Sequence, residues 1–145
     1  MTYHTAVDDL ESFIWVLLWA IFDLLRLKSH GQYKFSSSET NMNSILHSYS
    51  YETLSMRNDF GDRLHRNQRM GQLTPGFAVF GDLLIKWLRL AKRARDTMLD
   101  VMYTPGDVKP FYQAYYQEYL KIGVDQLESL PTSWDYINEP PQPQV

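Results

Sequence analysis

Ten consecutive apolar residues at positions 13–22, Phe-Ile-Trp-Val-Leu-Leu-Trp-Ala-Ile-Phe, constrain this chain more than any other feature. Acids precede the run at Asp8, Asp9 and Glu11, and Asp23 closes it. A bilayer span needs about 20 apolar residues, so the run predicts a buried helix and no membrane partner. A secretory leader is not expected either, because it places cations before the apolar stretch and small residues after it. At 3.6 residues per turn the helix is apolar on every face, with Trp15 and Trp19 one turn apart. A helix of that kind must be surrounded, since burying each large apolar side chain is worth about 1.5–3 kcal/mol. Either the remaining helices wrap it, or a partner or a further segment does.

The remainder of the chain reads as one all-α domain over residues 1–137. Its 145 residues carry 44% hydrophobic side chains and a formal net charge of −3. Cysteine is absent, which excludes disulfides and a thiolate zinc site and favours an intracellular compartment. The first helix is expected to start at Asp8 or Asp9 as N-cap and to end near Leu27, where Lys28 to Gly31 supply cations and a glycine stop. Residues 31–44, with three consecutive serines and two asparagines, read as a loop or insertion. Segment 45–65 shows a weak helical face that the serines at 48–50 and Gly61 are expected to break. The clearest pattern follows. Thr74 is placed to cap and Pro75 to open a helix whose apolar residues recur in steps of three and four, at Phe77, Phe80, Leu84, Trp87, Ala91, Ala94, Met98 and Val101. A fourth helix opens near Pro110 and carries Tyr112, Tyr115, Tyr116, Tyr119, Leu120, Leu127 and Leu130. The Pro-rich tail 138–145 is expected to be disordered.

The start of the first helix carries a resemblance. His4-Thr5-Ala6-Val7-Asp8-Asp9-Leu10-Glu11-Ser12, followed by the aromatic-rich apolar stretch, resembles the helix that opens the second half of the large lobe in fungal-type protein kinases. Casein-kinase-like enzymes share the Asp-Asp-Leu-Glu-Ser string. The pattern of Phe80, Leu83, Trp87 and Leu88 is similar to a late helix of the fungal family, and little of 31–73 aligns. The resemblance implies the C-terminal helical part of a kinase-like lobe built around one central apolar helix, with Trp15 and Trp19 in its core. It also implies that Asp9 braces the catalytic loop through its carboxylate; as a residue of the isolated chain, Asp9 reads as a helix cap. ATP and magnesium belong to a full-length member of such a family. The Gly-rich loop, strand lysine, catalytic aspartate and metal-binding Asp-Phe-Gly all precede this helix in kinases. None has room in the eight residues before it, so the chain alone is expected to be inert, with no catalytic, cofactor or metal residues and no small-molecule ligand. Asp59-Phe60-Gly61 and His65-Arg66-Asn67 lie downstream in reversed order and are chance matches.

Other chemistry is weaker. His4, His30, His47 and His65 have no metal-ligand spacing. Charge is uneven: positions 57–95 sum to +6 and positions 96–145 to −6, nine cations against three acids and then eight acids against two lysines. Lys86, Arg89 and Arg93 share one face of the third helix as a candidate basic patch. The expected reading is a solvated face answered by the acidic C-terminal third, with no nucleic-acid partner. The tyrosines of the fourth helix suit either stacking on a partner or boundary packing, ring inside and hydroxyl at water. The function class expected is a kinase-like lobe; the alternative is a free-standing helical module that binds a protein, or itself, through its apolar first helix or its heptad-spaced third helix.

Overall fold

A computed structural model describes residues 5–48, 54–102 and 106–130. The described residues are all-α, in five helices: α1 (Ala6–Lys28), α2 (Ser37–Ser48), α3 (Leu54–Arg69), α4 (Pro75–Met102) and α5 (Lys109–Leu127). The tail 138–145 lies outside them.

Local sequence explains the boundaries. Thr5, not Asp8 or Asp9, caps α1: its hydroxyl accepts from the Asp8 N–H, and its own N–H donates to Asp8 Oδ2 at 2.9 Å, a reciprocal capping box. The helix ends at Lys28, close to the expected Leu27, and Gly31, at φ +77°, turns the chain away after it, its N–H donating to the Arg26 carbonyl at 2.9 Å. The expected loop 31–44 is corrected, because residues 37–44 are helical. Ser36 and Glu39 form a second capping box there, with the Ser36 N–H on Glu39 Oε1 and the Glu39 N–H on Ser36 Oγ. Gly61 does not break α3. It sits beside Leu88, where the missing side chain lets α3 approach α4.

Pro75 opens α4 as its pattern predicts. This 28-residue helix, not α1, is the hub of the fold, packing against α1, α3 and α5 on different sides. Its apolar residues cover more of its circumference than the single stripe read from sequence: Phe77, Leu84 and Ala91 belong to the main core, while Leu90 and Ala94 join a second cluster with Val7 and Tyr115. The main core unites α1, α2, α3 and α4 through Ile14, Trp15, Phe22, Met42, Phe60, Leu64 and Phe77. Phe60 lies edge-on to Trp15, with ring centroids 5.4 Å apart, so Asp59-Phe60-Gly61 is part of a helix with its phenyl ring in the core. Leu25 at one end of α1 lies beside Gly76, and Glu11 at the other meets Arg95, so α1 and α4 run antiparallel. Arg93 meets Glu118 and Trp87 meets Gly123, so α5 is also antiparallel to α4 and therefore parallel to α1.

Candidate functional site: an apolar face on α1 and α5

The described residues cover α1 on one side only. Val7, Glu11, Ile14, Trp15, Leu18, Ile21, Phe22 and Leu25 are buried. On the other side Phe13, Val16 and Leu27 remain 62%, 65% and 72% exposed. With Ala20, exposed, and Leu24, half-buried, they fall within about 100° of the helix circumference at 3.6 residues per turn. Asp9 lies on this same bare side, one turn before Phe13, in the first turn of the helix. Trp15 is in the core as expected, its indole N–H donating to Glu11 Oε1 at 3.2 Å. Trp19 is corrected. It stands at the rim, 38% exposed, with its ring 4.2 Å from that of His47 in the last turn of α2.

A second stripe completes the face. On α5, Tyr116, Leu120, Val124 and Leu127 are each about half exposed or more, at spacings that share one flank of the helix. Glu118 projects from the opposite flank toward Arg93, which lies on the side of α4 away from α1. The exposed stripe of α5 therefore looks toward α1. Between the two stripes, Leu10 of α1 and Tyr112 of α5 pack in one cluster, and Tyr119 bridges that cluster and the main core. Two parallel helices thus present one apolar face. Monomeric proteins keep such patches small, and large ones mark interaction sites.

The tyrosines divide by position. Tyr115 is fully packed, hydroxyl included, against the expectation that its hydroxyl meets water. Burial, reinforced by the Glu11 carboxylate, pushes its phenol well above the usual range. Tyr119 stacks on Trp87 with the rings nearly parallel and 4.5 Å apart, and the indole N–H donates to the Tyr119 carbonyl at 3.0 Å. Burial raises its phenol pKa too. Tyr116 alone of this cluster belongs to the exposed stripe.

The basic patch is real as a surface but largely answered. Lys86 pairs with Asp82 at 2.9 Å and Arg93 with Glu118 at 2.8 Å, both exposed pairs of the kind worth about 0–1 kcal/mol. Only the second crosses to the acidic C-terminal third. Arg89 joins them at an open groove of about 580 Å³ between α4 and α5, which Asp96 and Glu118 also line. Among the described residues, no three His, Asp or Glu side chains stand close enough to hold a metal ion, and no helix is long and apolar enough to cross a membrane.

Two buried polar constellations escaped the sequence reading. Glu11 and Arg95 form an ion pair across 84 residues, and Arg95 also donates to Asn58 at 3.0 Å. Glu39 Oε2 accepts from both the N–H and the hydroxyl of Thr74, at 3.0 and 2.8 Å, so one carboxylate ties the start of α2 to that of α4. Thr74 was expected only as a local cap. The Ser-x-x-Glu signature at 36–39 announced the first role of Glu39, and nothing local announced the second.

No protein-family model, curated protein or solved structure matches the chain.

Proposed function

We propose that this protein is a non-catalytic helical module that binds a protein surface through the α1/α5 face. The observation that carries the reading is the bare side of α1: Phe13, Val16 and Leu27 stand exposed beside the equally exposed stripe of α5. Leaving this much apolar surface in water forgoes about 25 cal/mol per Å². Scattered exposed leucines need no explanation, but a continuous two-helix stripe does. Val16→Glu combined with Leu120→Glu tests it, because both positions are exposed and tolerate a charge in the folded chain. The unmodified protein is expected to associate or to bind a hydrophobic dye, and the double variant to do neither at unchanged helicity. An unmodified chain that is monomeric and binds no dye would falsify the reading.

A second reading, a kinase-like lobe, is favoured by one placement. Asp9 lies on the same bare side of α1 that a preceding lobe and its catalytic loop would occupy, as the resemblance of the Asp8-Asp9-Leu10-Glu11-Ser12 helix implies. On that reading the face is covered by kinase segments of a longer protein, and ATP and magnesium would bind there and not on this chain. The coding sequence upstream of Met1 decides it. A glycine-rich loop, a strand lysine and a catalytic aspartate are expected; their absence from that sequence sinks the idea. The isolated chain should show no shift in melting temperature with ATP and magnesium.

A further inference from the structure

We propose that the occupant of the α1/α5 face is a second copy of this chain, packed antiparallel across a two-fold axis that passes at Ala20. This rests on the docking reading above and adds the identity of the partner.

The spacing of the α1 stripe carries the inference. Positions 13, 16, 20, 24 and 27 are separated by three, four, four and three residues, a sequence of intervals that reads the same in both directions. An antiparallel copy centred on Ala20 therefore sets Phe13 across from Leu27 of the second copy, Val16 across from Leu24, and Ala20 across from Ala20. Large side chains meet large ones at the ends, and the smallest meets itself at the centre. A two-fold interface requires this self-complementarity, because each residue must find a counterpart on an identical surface. A small residue at the crossing also lets two helices approach toward the lower end of the 8–10 Å packing range.

The flanking helix fits the same symmetry to within half a residue, its stripe running at intervals of four, four and three. Because α5 runs parallel to α1 on the same face, an axis lying in that face and perpendicular to both helices sets α5 against α5 as well. Tyr116 then lies across from Leu127 of the second copy, and Leu120 across from Val124. Charge agrees. The first turn of α1 carries Asp8 and Asp9, and the last carries Arg26 and Lys28, so antiparallel packing brings acids beside cations at both ends. Arg26 is held by Asp23 at 3.0 Å in an exposed pair that a nearby carboxylate can share. Parallel packing would set acid on acid and cation on cation.

The experiment is a mass measurement by sedimentation equilibrium on the full chain and on variants at the axis. Ala20→Glu sets two carboxylates face to face and should raise the dimer dissociation constant at least 100-fold with unchanged helicity. Ala20→Lys should do the same, and an equimolar mixture of the two should restore a dimer. The chain has no cysteine, so Ala20→Cys supplies one thiol per copy. Mild oxidation should link its copies, whereas Asp62→Cys, exposed on α3, should stay unlinked. A dimer that survives Ala20→Glu and does not link at Ala20→Cys overturns the proposed axis. A monomer that binds a hydrophobic dye, with the dye lost in Val16→Glu, overturns the second copy and leaves the docking reading standing. A monomer that binds no dye overturns both.

Discussion

Arg95 of α4 donates to the buried carboxylate of Glu11 on α1, and that pair fixes the antiparallel register of the two helices that flank the core. Both partners are nearly removed from solvent, and the same carboxylate holds the Trp15 indole N–H while Arg95 reaches Asn58. Desolvating two charges is costly, and the Trp15 and Asn58 contacts offset part of that cost, while Arg95 Nε stays buried without a partner among the described residues. Removing one member strands the other. Glu11→Ala and Arg95→Ala should each destabilise the fold by about 3–5 kcal/mol in urea unfolding. The double replacement Glu11→Leu with Arg95→Met should cost far less than the two single losses combined, and additive losses would show that the pair does not act as a unit.

Glu39 makes the fold sensitive to pH. Desolvation by burial raises its pKa above 4.5, against the pull of hydrogen bonds from Ser36 and Thr74. A carboxyl whose folded pKa is raised binds its proton more tightly when folded. Its contribution is therefore fully present below pH 4.5 and is lost as pH rises through the raised value. Glu39→Gln removes this titration. Thermal unfolding of the two proteins from pH 4 to pH 8 should show the unmodified chain losing stability relative to Glu39→Gln as pH rises, and parallel curves would refute it.

Tyr115 buries its hydroxyl in the cluster of Val7, Leu90 and Ala94, with no hydrogen-bond partner among the described residues. An unsatisfied buried polar atom costs about 1–3 kcal/mol. Tyr115→Phe keeps the ring and removes the oxygen, so it should leave stability unchanged or raise it by about 1 kcal/mol in denaturant titration. A loss above about 1 kcal/mol would mean that the hydroxyl is bonded in solution.

Gly76 tests how closely α1 and α4 pack. A Cβ there would stand 2.9 Å from the Tyr33 ring and 3.2 Å from Leu25, closer than packed carbons allow. In an open helix Gly→Ala gains about 1 kcal/mol, yet Gly76→Ala should lose about 1–3 kcal/mol through overpacking. A rise in melting temperature would contradict the contact.

How far these features were legible depends on the range of the signal. The start of α4 was readable because Pro75 and the three-four spacing of Phe77, Phe80, Leu84 and Trp87 act within one helix. Helix α2 was hidden by its serines and asparagines, residues that also suit loops, although the Ser36 and Glu39 capping box was present in plain sequence. The run at 13–22 predicted a helix but not its bare side. With no polar residue to mark a solvent face, nothing local distinguishes buried Ile14 from exposed Phe13. The same lack of a polar marker hides the rim position of Trp19 and the place of α4, not α1, at the hub. Pairings such as Glu11 with Arg95 and Glu39 with Thr74 join residues far apart in the chain, and no spacing rule reaches that distance.

The most direct measurement is the solution mass of the unmodified chain by sedimentation equilibrium across a concentration series, with dye binding read on the same samples. A face built to receive a second copy predicts a species of twice 17.1 kDa that excludes the dye and dissociates on dilution. A constant 17.1 kDa species at every concentration, with or without bound dye, would contradict it.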